Sequence, residues 1–295
     1  MDQTVARDFY VKLPWHLLRA MRPHHWVKNL VVFAAPLFAL RLDGESLVPA
    51  ALSFAVFSLV SSSFYLINDA VDVQADREHP VKRHRPIAAG LVPVPLAIAA
   101  AAVFLGGSLV TGFALSAGLG AALGLYALVQ TGYNLGLKRQ PVLDIMCISA
   151  GFVLRALGGA AATGVPVSGW FVFCVGLLAF YLGLEKRRAE LKAQGNRGTT
   201  RAVLRQYTLP WLARMESLVT ATTLMAYALW TLEGAKTPWM LATVPFVAYG
   251  IFRYQYLSEK GEGEAPESLL MKNPHILLTV LLWAVTCLVV LQLAT

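Results

Sequence analysis

The sequence predicts an all-α polytopic membrane protein, about nine transmembrane helices bundled around a central cavity that opens to the cytoplasm. Three observations predict it. Of the 295 residues 57% are hydrophobic and 14% charged, with a positive mean hydropathy; a soluble chain carries nearly twice that charge fraction. Apolar runs of about 20 residues, long enough to cross the hydrocarbon core as a helix, recur along the whole length. Lys and Arg gather in every second loop, which marks those loops as cytoplasmic. Residues 1–295 therefore read as one integral membrane domain.

The elements follow in order. Residues 1–25 carry no cleavable signal pattern. Instead they predict an interfacial amphipathic helix, with Trp15, Leu17, Leu18 and Met21 set among His16 and Arg19. Spans are expected at about 27–42, 48–67, 92–112, 115–133, 141–162, 168–184, 208–231, 239–257 and 274–294. The first is short and begins amid polar residues. Nine crossings place the N-terminus and the 2–3, 4–5, 6–7 and 8–9 loops on one side. That side collects Arg7, Lys12, Arg19, Arg22 and Lys28, then Arg77, Lys82, Arg83 and Arg85, then Lys138, Arg139, the basic run 186–205, Arg253, Lys260 and Lys272. The other side has only Arg41 and Lys236. The expected setting is the plasma membrane, with the N-terminus cytoplasmic and the C-terminus outside. Cys147, Cys174 and Cys287 all fall in spans without metal-ligand spacing, and no disulfide is implied. Stretches 68–90 and 185–207 weakly echo each other, each an acidic–basic loop after a span. They suggest two cytoplasmic loops facing one cavity.

The first loop carries the strongest chemical signal. Asp69, Asp72 and Asp76 stand at i, i+3 and i+7, on one face of a helix, with Asn68 beside them. Carboxylates this close repel one another unless a cation lies between them. Hard Mg²⁺ takes oxygen ligands and commonly keeps a phosphate in its shell. The cluster therefore points to Mg²⁺–diphosphate chemistry at the membrane surface, against the blander reading of a solvated acidic helix end. Lys82, Arg83 and Arg85 follow closely and could neutralise the remaining phosphate oxygens, or simply mark topology.

Other polar residues lie where lipid would not solvate them. Lys28 and Asn29 enter the first span and are placed to point into the cavity. Tyr133, Asn134, Lys138 and Arg139 precede Asp144, one turn into the fifth span. Arg155 lies three turns deeper on the same face, about 16 Å along the axis from Asp144, too far to pair with it. An ionised group at that depth costs about 2.5–3.5 kcal/mol, so Arg155 should face the interior and meet a carboxylate or a substrate phosphate. In the second loop Lys186 and Arg187 could face a phosphate while Glu190 orients them or accepts a sugar hydroxyl. A self-contained salt-bridged helix end is the alternative. The acidic loop 259–267, with Gly261 and Gly263, reads as a lid or a solvated loop.

The Asn-Asp-x-x-Asp-x-x-x-Asp pattern at 68–76, the nine spans and the two loops resemble the UbiA superfamily of intramembrane prenyltransferases over essentially the whole chain. Arg22-Pro23 with Trp26-Val27-Lys28-Asn29, the stretch Asp76-Arg77-x-His79-Pro80-x-Lys82-Arg83-x-Arg85-Pro86-Ile87-Ala88-Ala89-Gly90, Gly136-Leu137-Lys138 leading to Asp144-Ile145, Gly151-Phe152-x-x-Arg155-Ala156 and Lys186-Arg187-x-x-Glu190-Leu191 resemble its phosphoribosyl-transferring branch. Aromatic prenyltransferases of the superfamily generally carry a second Asp-rich motif in the second loop. Here Lys186, Arg187 and Arg188 stand there with glutamates only.

The resemblance implies transfer of the 5-phosphoribosyl group from phosphoribosyl diphosphate to a polyprenyl (decaprenyl) phosphate, with loss of diphosphate, in cell-wall arabinan precursor synthesis. It implies that Asp69, Asp72 and Asp76 are catalytic and hold Mg²⁺ with Asn68. It further implies that Lys28, Asn68, Lys82, Arg83, Arg85, Tyr133, Lys138, Asp144, Arg155, Lys186, Arg187 and Glu190 bind substrates. An aromatic or tetrapyrrole prenyltransferase using a prenyl diphosphate is the alternative within the superfamily. A transporter of anions or lipid is the alternative outside it, disfavoured by the nearly uncharged far side. No nucleic-acid partner is expected, and homo-oligomerisation stays open.

Overall fold

Helix α1 (Gln3–Ala20) leads to Arg22, whose left-handed backbone (φ 56°, ψ 63°) turns the chain into a tight 3-10 helix, Pro23–Phe33, and a single turn α2 (Ala34–Phe38). The first expected span is therefore not an ordinary α-helix. Pro23 and Pro36 each lack a backbone donor, and 3-10 winding over 11 residues is unusually long. Side-chain bonds and close packing pin it: Asn29 Nδ2 donates to Ser58 Oγ at 2.8 Å, and Trp26 Nε1 to Ser62 Oγ at 3.0 Å. This computed structural model describes residues 3–197, 202–235, 237–260, 269 and 273–294, with side chains from residue 11 onward and none over 194–197.

The remaining helices are α3 (Gly44–Val71), α4 (Val73–Glu78), α5 (Val94–Leu115), α6 (Ala117–Leu135), α7 (Leu143–Thr163), α8 (Gly169–Arg197), α9 (Leu209–Leu229), α10 (Val244–Glu259) and α11 (Pro274–Leu293). A π-turn, Trp230–Gly234, extends α9, and a 3-10 turn, Pro238–Thr243, precedes α10. Among the described residues five helices are long and apolar enough to cross a membrane: α3, α5, α7, α8 as far as Ala193, and α11. Those five coincide with expected spans; the other four expected spans are also helical.

Neighbouring helices pack in order: α5 on α3 and α6, α7 on α6 and α8, α9 on α8, α11 on α10. The centre is α7, which touches α3, α6, α8 and the 3-10 segment. Helix α3 carries Ser53, Ser58, Ser61, Ser62 and Ser63 on its buried side, small residues that let helices approach and bond across. Phe57, Val60, Leu119 and Leu123 fill the space between α3 and α6. Outward-facing Val103, Val110, Leu128, Leu218 and Met225 stay exposed, as a lipid-facing surface requires.

The tightest of the described glycines is Gly159 of α7 against the 3-10 segment, where a Cβ would fall 2.1 Å from the Val32 carbonyl oxygen. Gly159→Ala is therefore expected to cost about 1–3 kcal/mol through overpacking. It should appear as a lowered melting temperature in detergent, whereas Gly124→Ala, with nothing within 4 Å of the added methyl, should leave melting unchanged.

One expected loop changes character. Residues 185–197 continue α8 instead of opening a loop. The run is rich in Glu, Lys, Arg, Ala and Leu, good helix formers, and Arg187–Glu190 pairs one turn apart. Residues 198–201 lie outside the described set. Likewise only the start of the 259–267 loop is described, and Glu259 closes α10.

Candidate active site

The acidic motif does not form one helix face. Helix α3 ends at Val71 and α4 begins at Val73, so the chain bends at Asp72. The bend separates the three carboxylates by role. Asp69 and Asp76, each 2% exposed, turn inward, while Asp72 is exposed.

The inward pair is held by this chain's own cations. Arg85 Nη1 donates to Asp69 Oδ1 at 3.0 Å and to Asp76 Oδ2 at 2.7 Å. Arg22 Nη2 donates to both oxygens of Asp69, at 2.6 and 2.9 Å, and its guanidinium lies 5.0 Å from the centre of the Tyr65 ring. Lys82 Nζ lies 3.9 Å from Asp76 Oδ1. Among the described residues Asp72 has no ion pair, which leaves its carboxylate available to a ligand.

These groups line a cleft of about 370 Å³. Asn68, Asp69 and Asp72 form its acidic wall, and Arg22, Lys82, Arg85, Lys138 and Arg139 ring it. Tyr65, Tyr133, Asn134 and Ala202 complete it. The donor set is all oxygen, which suits a hard divalent cation. Among the described residues no three His, Cys, Asp or Glu side chains converge into a closed metal cage. An ion held here would take two or three ligands from Asn68, Asp69 and Asp72, and the rest from a phosphate group or water.

Of the residues expected from sequence, the cleft thus gathers Asn68, Asp69, Asp72, Lys82, Arg85, Tyr133 and Lys138, with Asp76 directly behind it. Arg83 points away, exposed, its Nε 3.4 Å from His84 Nε2. Lys186 is half-buried on α8 and does not line the cleft. Arg22, Tyr65 and Arg139 join the site without having been expected to bind substrate. Arg22 stood in a family-like stretch and Arg139 among the polar residues before Asp144, both also counted as topology signals, and nothing about Tyr65 marks it in sequence. The Arg22-Pro23 pair was the available clue, since the residue before a proline is pushed out of the right-handed helical region.

Asp144, Arg187 and Glu190 form a second, buried network. Arg187 Nε donates to Asp144 Oδ2 and Nη1 to Glu190 Oε2, both at 2.6 Å. Tyr207 donates its hydroxyl to Asp144 Oδ1 at 2.7 Å and accepts the Val142 N–H at 2.6 Å. Burial pushes the Tyr207 phenol up from its ordinary value, so it stays a donor throughout the physiological range. The bond also steadies Val142, a β-branched residue at φ 70° immediately before α7. A third cluster ties α8, α9 and α10: Arg188 reaches Glu216 at 2.7 Å and also pairs with Glu259, which Lys192 meets at 2.7 Å.

Among the described residues Arg155 meets no carboxylate. Its partners are Asn29 Oδ1 at 2.5 Å, the Gly151 carbonyl at 2.9 Å and the Tyr126 hydroxyl at 2.9 Å. Of the two partners expected for it, a carboxylate or a substrate phosphate, the carboxylate is not found; the oxygens of Asn29, Gly151 and Tyr126 face it instead.

Helical bundle and cleft together define an integral membrane protein with an acidic–basic site suited to a metal-bound polyanion. The chain belongs to the UbiA prenyltransferase family, whose profile matches residues 30–274. Decaprenyl-phosphate phosphoribosyltransferase of Mycobacterium tuberculosis strain H37Rv is 37% identical to it over 295 residues, covering 97% of both chains. The protein of that name from Corynebacterium glutamicum is 36% identical, covering 92% of this chain and 85% of its own. A UbiA homologue from Archaeoglobus fulgidus, solved with GPP and Mg²⁺, shares the fold at a TM-score of 0.72 and 19% identity, over 94% of this chain and 99% of that one.

Proposed function

We propose that the chain transfers the 5-phosphoribosyl group of phosphoribosyl diphosphate to a polyprenyl phosphate, releasing diphosphate. Support comes from relatives that carry the name decaprenyl-phosphate phosphoribosyltransferase across nearly their whole length. The observation that carries the reading is the single cleft in which Asn68, Asp69 and Asp72 face five basic side chains. A prenyl diphosphate alone would not call for so many cations.

In this reading Asn68, Asp69 and Asp72 hold Mg²⁺ against the diphosphate, and Asp76 fixes Arg85 and Lys82 from behind. Bound there, Mg²⁺ supplies Lewis-acid neutralisation of the departing diphosphate. Arg85, Lys138 and Arg139 bind the phosphate oxygens and stabilise the charge that develops as the C1–oxygen bond breaks. The acceptor phosphate oxygen forms the new bond at C1 from the opposite face. A phosphate monoester is already ionised near neutral pH, so the step needs no dedicated general base. The product is a polyprenyl-phosphoryl-5-phosphoribose, an activated pentose for wall arabinan. The chain crosses the plasma membrane about nine times, with the N-terminus and cleft cytoplasmic and the C-terminus outside.

Purified protein, Mg²⁺, radiolabelled phosphoribosyl diphosphate and polyprenyl phosphate should yield labelled lipid. Absence of labelled lipid, with turnover of a prenyl diphosphate and an aromatic acceptor instead, would replace this reading. Within it, Lys138→Ala is expected to raise the donor KM about tenfold, the equivalent of one charge-assisted hydrogen bond. Arg83→Ala, outside the cleft, should change that KM less than about twofold.

A further inference from the structure

We propose that Glu185 and Glu216 form a proton-binding clasp between α8, α9 and α10: the two carboxyl groups share one proton, and losing it as pH rises weakens the packing of the three helices. Glu185 is wholly buried, at 0% exposure, and Glu216 is 6% exposed. Glu185 and Arg187 stand two residues apart, about 200° around the helix, so they serve opposite faces of α8. Arg187 turns to Asp144 of α7, whereas Glu185 turns to Glu216 of α9 and Ser258 of α10 and does not line the cleft.

One nitrogen brings the two carboxylates together. Arg188 Nη1 lies 2.7 Å from Glu216 Oε2 and 3.7 Å from Glu185 Oε1. The longer distance is an ion contact and not a hydrogen bond, and both Glu185 oxygens are buried without a hydrogen-bond partner among the described residues. Ser258 Oγ, which faces Glu185 from α10, is equally buried and equally unpartnered. Glu185 stands within hydrogen-bond reach of Glu216. Two ionised carboxylates have no donor between them, so this contact becomes a hydrogen bond only when one of them carries a proton.

The balance of charge agrees. In the buried part Glu185 and Glu216 face the single guanidinium of Arg188, with side chains 0%, 7% and 12% exposed. At the rim Glu259 and Lys192 pair at 2.7 Å and cancel each other. Tyr181 on α8 donates to the Ile251 carbonyl at 3.3 Å, and Tyr254 on α10 stands edge-on to its ring. Both face the pair as phenols and add no charge near neutral pH. One positive charge is therefore missing. A divalent metal suits the place poorly, because among the described residues no three His, Cys, Asp or Glu side chains converge on it. A proton supplies both the charge and the absent donor.

In the unfolded chain both glutamates ionise at about pH 4.3. Above that pH the folded pair holds one proton more than the unfolded chain, so stability falls as pH rises until the shared proton is gone.

The test is the melting temperature of the purified full-length protein in detergent, from about pH 6 to about pH 9 at constant ionic strength. Over that range wild type should lose at least about 4 °C more than Glu185→Gln, whose amide donates to Glu216 without a titrating proton. Glu259→Gln removes a half-exposed carboxylate from the same Arg188 and should keep the wild-type dependence. Glu185→Gln falling in parallel with wild type overturns the clasp, and so does Glu259→Gln becoming as flat as Glu185→Gln should be. A melting temperature that rises with Na⁺ at fixed pH in wild type, and not in Glu185→Gln, puts a metal cation in the proton's place and also overturns it. If Glu185→Gln does not fold, wild type alone decides by infrared spectroscopy. A carboxylic-acid carbonyl band present at about pH 6 that titrates away as pH rises upholds the shared proton, and the lack of a titrating band overturns it.

Discussion

Asp72→Asn is expected to lower kcat/KM at least about 100-fold, roughly 2.7 kcal/mol of transition-state stabilisation, while the melting temperature stays at the wild-type value. The separation of activity from stability follows from the bend between α3 and α4. Asp69 and Asp76 are buried and clamped by Arg22, Arg85 and Lys82. Neutralising either one leaves cations without partners, so a loss of activity there is mixed with a loss of packing. Asp72 is exposed, lines the cleft and pairs with nothing among the described residues. Its amide removes one negative charge from the oxygen set and disturbs little else. Because Mg²⁺ affinity should fall with that charge, raising Mg²⁺ should restore part of the rate in Asp72→Asn and change nothing in wild type. A wild-type rate at every Mg²⁺ concentration would refute the metal role of this carboxylate. Asp69→Asn should instead lose activity and melting temperature together.

The helical class and the place of the cleft were legible because hydropathy and charge spacing are local properties. Apolar runs outline α3, α5, α7, α8 and α11, and the Asp69–Asp76 pattern marks the site. What sequence could not supply were decisions made between distant helices. Nothing local says that Arg22 would spend its charge on Asp69, 47 residues away, or that Asn29 would face Arg155 across 126 residues. Periodicity placed three aspartates on one face because it assumes an unbroken helix, and the break at Asp72 is what makes the three unequal. The 3-10 winding of the first span was equally hidden: the segment packs against Gly159 through Val32, a contact between segments far apart in the chain. Charge clusters were the least readable of all. Lys82 and Arg83 are neighbours, yet one lines the cleft and the other bonds to His84 outside it.

Arg187 gives the second large effect, and its direction depends on burial. The Arg187–Asp144 pair is almost wholly enclosed, with side chains 1% and 0% exposed. Removing one member of such a pair abandons the other charge in a low-dielectric interior, at a cost of about 3–5 kcal/mol. Arg187→Met should therefore melt far below wild type, since among the described residues Asp144 keeps only the Tyr207 hydroxyl. The double variant Arg187→Met/Asp144→Leu removes both charges and fills the space. It should regain most of the lost stability, because well-packed apolar replacements of buried ion pairs are often neutral or stabilising. The coupling in this double-mutant cycle measures the pair itself. Activity adds a second reading. Two carboxylates, Asp144 and Glu190, already face Arg187, so its expected contribution is to join α7 to α8. The stable double variant should then recover transfer along with melting temperature. A double variant that melts like wild type but has a raised donor KM would overturn that assignment, and would point to Arg187 Nη2, which has no partner among the described residues, as the atom that binds substrate.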